Sequence, residues 1–139
     1  MSVKTVSLRV ETKGETDLID ITQRVENSVK DSGISSGIVT VFVPGSTAGV
    51  TTIEYESGAI RDFQRAVERI TPKNIQYDHD ARWGDGNGYS HVRAALLGAS
   101  LTVPFSSSRL LLGTWQQIVL VDFDNRSRRR ELTLQIMGE

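Results

Sequence analysis

Hydrophobic and polar positions follow two different periods in the first third of the chain, and each period predicts a different element. Alternate positions are apolar at Val6, Leu8 and Val10. This period of two predicts a half-buried strand. Every fourth position is then apolar at Ile21, Val25 and Val29. That spacing predicts a surface helix with one buried stripe, with Asp20 and Gln23 as a capping pair and Gly33 at its end.

The next segments predict a strand, a turn, a second strand and a helix. Residues 37–43 are β-branched and almost continuously apolar, which predicts a strand buried on both faces that ends at Pro44. Small residues at 44–49 favour a tight hairpin leading into a strand at 50–55. The following helix has apolar residues three or four positions apart, at Ile60, Phe63, Val67 and Ile70.

The second half of the chain predicts one short helix and several strands. Residues 71–89 are polar and have no period, so they are interpreted as an ordered loop. Ser90 is expected to cap a short helix that ends at Gly98. Alternating or continuous apolar runs at 100–105, 109–115, 116–124 and 129–138 then predict successive strands. This half is therefore expected to be mostly antiparallel sheet.

Composition fits a single α+β domain over residues 1–139. The chain has 139 residues and is 38% hydrophobic, which is enough for one core and too little for two ordinary domains. No repeat or linker interrupts it, so strands and helices are expected to share that core. Because there is no cysteine, any metal must be bound by nitrogen and oxygen atoms.

Charge and hydropathy favour a cytoplasmic protein that binds small molecules. No apolar run approaches the roughly 18 residues of a membrane span, and the first residues lack the core of a signal peptide. The net charge of −1 argues against nucleic acid as a partner. Arg126, Arg128 and Arg130 share one strand face and either bind a phosphate or keep a sheet edge soluble. The soluble edge is the favoured interpretation.

The loop at residues 76–91 contains both histidines and several carboxylates. His79, His91, Asp80 and Asp85 supply the nitrogen and oxygen ligands that Zn²⁺, Mn²⁺ or Mg²⁺ accept. The alternative is that the aspartates are solvated turn formers and that the histidines are hydrogen-bonded structural residues. Composition alone leaves both open.

Three further stretches could contact a ligand. Glycines at 84, 86 and 88 and the start of the short helix could bring N–H groups to a phosphate, although an ordinary glycine-rich loop is the favoured interpretation of this feature alone. Ser46 and Thr47 could cradle a ligand, although the hairpin is the favoured interpretation of this segment. Glu54 could act as a base or lie on a solvated edge. Trp115 is interpreted as an anchor in the core or in a subunit interface.

The order of these segments resembles the YjbQ-like family, which is linked to a secondary thiamine-phosphate synthase activity. The resemblance covers about residues 5–139 and is carried by "VFVPGSTAGVTTIEYE", "YDHD", "GNGYSHVRAALLGASLTVP" and "RLLLGTWQQIVLVDFDNRSRRR". It implies an α+β fold around a β-sandwich, mostly antiparallel, with two longer helices and one short helix. It also implies a homotrimer with sites near the subunit interfaces and a metal-compatible cluster of histidines.

Matching the family residue by residue adds site residues and two departures. The matched positions are Glu54, His79, Asn87, His91 and Gln116. The family often has histidine where this chain has Gly45 and Tyr89. Fewer imidazoles would leave a harder metal site, suited to Mg²⁺ or Mn²⁺ rather than to tightly bound zinc.

Two hypotheses for function result. The first is a trimeric enzyme that transfers groups between phosphorylated small molecules, as in thiamine-phosphate synthesis, with assistance from a divalent metal. Its expected catalytic residues are Glu54 as base, His91 and Gln116. Its expected metal ligands are His79, His91, Asp80 and Asp85, and its expected ligand-binding residues are Ser46, Thr47, Asn87, Gly88, Ser90, Arg82 and Arg93. The second is a non-catalytic binding module for a phosphorylated metabolite that uses the same pocket.

Overall fold

Eight strands and four helices make up the chain in a computed structural model that describes residues 1–139. The strands are β1 (Ser2–Thr12), β2 (Asp17–Asp20), β3 (Gly37–Phe42), β4 (Ala48–Ile53), β5 (Ser100–Ser106), β6 (Arg109–Leu110), β7 (Gln117–Asp122) and β8 (Arg128–Gly138). The helices are α1 (Thr22–Ser32), α2 (Ser57–Ile70), α3 (Asp78–Trp83) and α4 (Gly88–Leu97).

The strands form two sheets that face each other. One sheet has five strands in the order β1-β8-β3-β5-β6, and the other has three in the order β2-β7-β4. Every strand pair is antiparallel, and β1 pairs with β8 over its whole length, from Ser2 opposite Gly138 to Thr12 opposite Arg128. The predicted α+β fold around a β-sandwich of mostly antiparallel strands is therefore confirmed, within a single domain.

The fold has three layers, which are the five-stranded sheet, the three-stranded sheet and the pair of helices α2 and α4. The strand β7 belongs to the middle layer. Ile118 and Leu120 point into the space between the sheets, where they join the main apolar cluster. Val119 and Val121 point the other way and pack with residues of α2 and α4. The side chains of β7 alternate between these two faces, and both faces are covered. The continuous apolar run of β7 is thus explained by burial on both sides.

The prediction that residues 37–43 are buried on both faces is wrong. Val39 and Val41 are fully buried, but Ile38 and Phe42 on the opposite face are 40% and 43% exposed. Helices α2 and α4 cover the outer face of the three-stranded sheet, and α1 packs against the core between the sheets. No helix covers the outer face of the five-stranded sheet, which therefore meets solvent. An apolar run in the sequence is the same whether a strand is covered on both faces or on one face only.

The turn at 44–49 is also not the expected hairpin. The strands on either side of it, β3 and β4, belong to different sheets, so the turn carries the chain across the sandwich. It is held at one end of β7, where the N–H of Phe123 donates to the carbonyl oxygen of Thr47 at 2.9 Å. This crossing brings Gly45, Ser46 and Thr47 to the same end of the molecule as Asp122.

Several helix boundaries differ from the predicted ones. Asp20 accepts hydrogen bonds from the N–H and hydroxyl of Thr22, and not from Gln23 as expected. The short helix α4 begins at Gly88, two residues before the expected cap at Ser90. The six residues of α3 were expected to be loop, because a helix of that length shows no apolar period.

Three further predictions about the second half need correction. Of the strand expected at 109–115, only Arg109–Leu110 forms. Trp115 is 73% exposed, so it is not a core residue, and its role in a subunit interface stays a prediction. The strand β8 lies between β1 and β3, so its arginines do not line a sheet edge. No helix of the structure has the length and hydropathy needed to cross a membrane.

Candidate functional site

Three segments meet at the end of β7 and form a polar region. The crossing turn lies beside β7 because Ala48 pairs with Asp122. The segment after β7 is linked to the start of α4, since the side-chain amide of Asn87 donates to Asp124 Oδ1 at 3.3 Å. This region therefore joins the turn, the β7–β8 loop and the N-terminal end of α4.

A buried ion pair forms the base of this region. Asp122 is fully buried, and Arg130 is 8% exposed. The guanidinium of Arg130 donates from Nε and Nη2 to the two carboxylate oxygens at 2.8 and 2.9 Å. Nη2 also donates to the hydroxyl of Thr47 at 2.7 Å. A second hydroxyl, from Thr12, donates to Asp122 at 2.6 Å. The pair is thus charge-balanced and supported by neutral groups on both sides.

Asp124 is the second buried carboxylate of the region. It accepts hydrogen bonds from the N–H of Asn125 at 2.8 Å and from Nε of Arg128 at 2.7 Å. Burial raises the pKa of Asp124, but the hydrogen bonds from Asn125, Arg128 and Asn87 outweigh this and leave the pKa below its ordinary value. Asp124 is therefore ionised at neutral pH and fixes the position of Asn87.

The two histidines lie side by side. His79 of α3 and His91 of α4 have ring centroids 4.3 Å apart, with an angle of 40° between the rings. Asp80 holds the helices together by accepting the N–H of Gly88 at 2.8 Å. Glycine is needed there, since a Cβ on residue 88 would come within 2.6 Å of the Cβ of Tyr77. The expected meeting of His79 and His91 is thus present in the structure.

Only three buried side-chain polar atoms in the chain lack a hydrogen-bond partner, and all three belong to this region. They are Nδ1 of His79, Oδ1 of Asn87 and Oγ of Ser90. Buried polar groups are satisfied in the great majority of cases, because an unmade hydrogen bond costs about 1–3 kcal/mol. Their concentration within twelve residues marks a place where a ligand or water would complete the bonding.

An open cleft of about 620 Å³, called here the histidine cleft, is lined by His91. Its lining residues are small apart from His91, namely Gly45, Ser46, Ala48, Ala94, Ala95, Gly98 and Ala99. The small side chains leave space for a ligand, and the hydroxyl of Ser46 and the imidazole of His91 provide its polar groups. Of the expected ligand residues, Ser46 lines this cleft, whereas Thr47 and Ser90 are buried beside lining residues in the sequence.

The expected metal ligands come together only in part. Asp80 Oδ1 is 3.8 Å from Nδ1 of His79, but the same oxygen already accepts the N–H of Gly88. Asp85 is exposed and contributes its backbone carbonyl to a hydrogen bond with Asn125. The chain contains no group of three or more His, Cys, Asp or Glu side chains placed to bind a metal. The residues present therefore do not complete a metal site without ligands from elsewhere.

Glu54 and Gln116 lie apart from the histidine cleft within one chain. Glu54 follows the far end of β4 and opens on a second cleft with Trp115. The side chain of Gln116 binds Thr52 at 3.2 Å and the N–H of Gly113 at 3.0 Å. Six residues of extended chain separate Ala48 from Glu54, which is about 20 Å. The structure does not bring these two expected catalytic residues to His91.

Arg93, like Glu54 and Gln116, lies away from the histidine cleft. It is 6% exposed and lines a groove between α2 and α4. Its guanidinium donates to the carbonyl oxygen of Thr71, to the hydroxyl of Thr16 and to the carboxylate of Glu68. Arg82 lies on the exposed helix α3, with its guanidinium 5.6 Å from the ring of Trp83. Arg93 thus uses four of its five N–H groups within the chain and does not line the histidine cleft.

Tyr89, which replaces a frequent family histidine, does not line the cleft. Its side chain is 1% exposed, and its hydroxyl donates to Glu15 at 2.8 Å. Burial, together with the carboxylate of Glu15, raises the pKa of Tyr89. On a helix, residues two apart point about 200° away from each other, so Tyr89 and His91 face opposite sides. Histidine at position 89 would therefore not extend the pair formed by His79 and His91.

The buried ion pairs were missed by the sequence interpretation. Asp122 and Asp124 interrupt an otherwise apolar segment, and Arg128 and Arg130 alternate on the next strand. A carboxylate inside a buried strand requires a partner of opposite charge. That pattern was the available signal for this part of the site.

The fold and the cleft together define a small α+β sandwich protein with a histidine-containing polar cleft at one end of its central strand. The family model described as UPF0047 protein YjbQ-like matches residues 6–139. The chain belongs to this family, and the resemblance inferred from the sequence is confirmed.

This chain is similar in sequence to other proteins of the family, and similar in fold to those of them whose structures are solved. A UPF0047 protein of Methanothermobacter thermautotrophicus is 37% identical over 139 residues, which covers 100% of this chain and 95% of that protein. A solved YbjQ-like protein of unknown function from Sulfolobus solfataricus P2 has a TM-score of 0.89 and 33% identity, covering 99% of this chain and 100% of its own. A hypothetical protein from Aeropyrum pernix K1 has a TM-score of 0.90 and 31% identity, covering 98% and 99%.

Proposed function

We propose that this protein binds a phosphorylated small molecule in the histidine cleft and catalyses a transfer reaction on it of the thiamine-phosphate synthase kind. The observation that carries this proposal is the cluster of buried polar atoms without partners, on His79, Asn87 and Ser90, beside the paired imidazoles. A ligand, or water between it and these atoms, would supply the donors and acceptors that they lack, and a small molecule with hydroxyl and phosphate groups carries such groups.

The histidines provide the chemistry of the proposed transfer. The nucleophilic nitrogen of a thiazole phosphate forms a bond to the methylene carbon of a pyrimidine diphosphate. The bond from that carbon to the diphosphate oxygen breaks, and its electron pair leaves with pyrophosphate. A protonated imidazole at His91 would stabilise this developing charge or donate a proton to the leaving group.

The start of α4 contributes less to phosphate binding than the sequence predicted. The N–H of Gly88, expected to contact the phosphate, already donates to the carboxylate of Asp80. An anion at this helix end would meet that carboxylate. The proposal therefore assigns phosphate binding to side chains that line the cleft.

A non-catalytic binding module remains the second candidate. One observation favours it: the expected base Glu54 and the expected catalytic residue Gln116 lie at the far end of β4 from His91. A cleft that binds the ligand without a base would retain binding and lack turnover.

Binding and turnover by the wild-type chain separate these candidates. We expect inorganic pyrophosphate to raise the melting temperature, with a stabilisation of about 2.7 kcal/mol at a concentration one hundred times its Kd. Product formation from the thiazole phosphate and pyrimidine diphosphate is measured in parallel, with and without Mg²⁺ or Mn²⁺. Binding without product in either condition supports the binding module. No stabilisation by pyrophosphate would contradict both candidates.

The proposal includes a homotrimer in which one copy supplies Glu54 and Gln116 to the cleft of another. Trp115 lies beside Glu54 and is 73% exposed, as expected of a residue that becomes buried on association. Light scattering is expected to give a mass three times the 15.4 kDa of one chain. Trp115→Ala should shift the mass towards the monomer. If the wild-type chain is monomeric at micromolar concentration, Glu54 and Gln116 are not part of the site.

A further inference from the structure

Arg130 has two N–H groups that no part of the chain uses. A guanidinium carries five N–H donors. In Arg130, Nε donates to Asp122, and Nη2 donates both to Asp122 and to Thr47. These three bonds fix the plane of the guanidinium and leave Nη1 without a partner in the chain. Nη1 is not one of the three buried atoms that lack a partner, so it reaches the surface although most of the side chain is buried. A buried and rigidly held arginine thus presents one free edge.

That free edge lies beside Gly45, which is one of the residues that line the histidine cleft. A Cβ on residue 45 would be 3.3 Å from Nη1 of Arg130 and within 4 Å of no other atom outside its chain neighbours. Gly45 has a φ of +113°, a backbone conformation that favours glycine. Because Gly45 has no side chain, open space remains beside it. Nη1 of Arg130 is the only nearby atom that borders this space.

Gly45 also lines the cleft that contains Ser46 and His91. Ser46 is exposed, and its hydroxyl makes no hydrogen bond within the chain. An oxyanion placed between Nη1 of Arg130 and this hydroxyl would accept charge-assisted hydrogen bonds from a donor that needs no reorganisation. The rest of the ligand would then extend over the small residues of the cleft towards His91.

We infer that Nη1 of Arg130 is the phosphate anchor of the cleft, made accessible by the glycine at position 45. This inference deepens the proposed function and rests on it. It assigns the terminal phosphate of the ligand to Arg130 and Ser46, and leaves the paired imidazoles for the reacting end. Arg130 would then bind the phosphate of the ligand in addition to neutralising Asp122.

Two variants test the anchor with inorganic pyrophosphate as the probe in calorimetric titration. Gly45→Ala places a methyl group against Nη1 and is expected to weaken pyrophosphate binding at least fivefold. Gly33→Ala is the matched control, because Gly33 also has a positive φ of +75° but no atom within 4 Å of its Cβ position. It should show a similar change in melting temperature and unchanged affinity.

Arg130→Lys provides the second variant. Lysine keeps the positive charge but has a single nitrogen, which cannot bind Asp122 and the cleft ligand with the same geometry. We expect at least tenfold weaker binding, with folding checked by circular dichroism. If this variant does not fold, Gly45→Ala decides the question alone.

The outcomes separate this inference from the proposed function. If the wild-type chain binds pyrophosphate and His91→Ala weakens binding, while Gly45→Ala binds like the wild type, the anchor is wrong and the proposed function stands. Weaker binding by Gly45→Ala, with Gly33→Ala unchanged, supports the anchor. If the wild-type chain does not bind pyrophosphate, both the inference and the proposed function are wrong.

Discussion

Replacing Asp122 with alanine is expected to lower the free energy of unfolding by about 3–5 kcal/mol. Asp122 is fully buried and receives two hydrogen bonds from Arg130 and one each from the Thr12 hydroxyl and the Asp124 N–H. Its removal takes away the close ion-pair partner of Arg130, whose buried guanidinium then has only the Asp124 carboxylate, 4.0 Å from Nη2, as a counter-charge. It also removes an acceptor for the other two donors. Urea unfolding of the wild type and the variant measures the difference.

A surface ion pair on the same strands is the control for this experiment. Arg129 and Glu11 pair at 3.2 Å, but their side chains are 64% and 73% exposed. Glu11→Ala is expected to change stability by less than about 1 kcal/mol. The double variant Asp122→Ala/Arg130→Met should recover part of the loss, because it removes the unpaired charge. A loss below 1 kcal/mol for Asp122→Ala alone would show that Arg130 finds another partner or solvent.

His91→Ala is expected to reduce product formation by at least 100-fold and to weaken pyrophosphate binding. The imidazole lines the cleft and lies 4.3 Å from that of His79, where it is placed to transfer a proton or stabilise charge. Removing such a group costs about 10²–10⁴ in rate. Initial rates from the two synthase substrates and calorimetric titration with pyrophosphate measure the two effects. Where the wild type binds without turnover, the titration alone tests His91.

The neighbouring position on α4 supplies the matched control. Val92 is 41% exposed and does not line the histidine cleft, so Val92→Ala should leave binding and turnover unchanged. The melting temperature of His91→Ala should remain close to that of the wild type, because His91 is only half-buried. Unchanged binding together with a clearly lower melting temperature would instead make His91 a structural residue.

The sequence predicted those elements whose residues alternate between a buried and a solvated side. Val6, Leu8 and Val10 lie in β1, and Ile60, Phe63 and Val67 of α2 pack partly buried against the smaller apolar cluster. Ile70, at the end of the same stripe, is 71% exposed. It did not predict which face of β3 would be covered. That depends on where helices pack in three dimensions, and the apolar residues of β3 look the same in either arrangement. The sequence also did not predict that β4 pairs with β7 and not with β3. That choice depends on residues far apart in the chain, which a local pattern does not report.

The candidate site was predictable in its chemistry and not in its geometry. The density of polar residues between 76 and 91 drew attention to His79 and His91, which the structure places side by side. Glu54 and Gln116 entered by family resemblance, which gives no distances within one chain. Arg130 was assigned to a soluble edge because the alternation of arginines does not reveal that its strand lies inside a sheet.

The pairing of β1 with β8 has a consequence for the synthesis of the chain. Thr12 and Arg128 are 116 residues apart in sequence and meet at one end of this pairing, and β1 has no other strand beside it. At about 5–20 residues per second, a ribosome needs on the order of 6–23 s to advance from one to the other. During that time Leu8 and Val10 have no sheet to join. The nascent chain therefore exposes an apolar strand that a chaperone could bind, and completion of the larger sheet must wait until translation has passed β8.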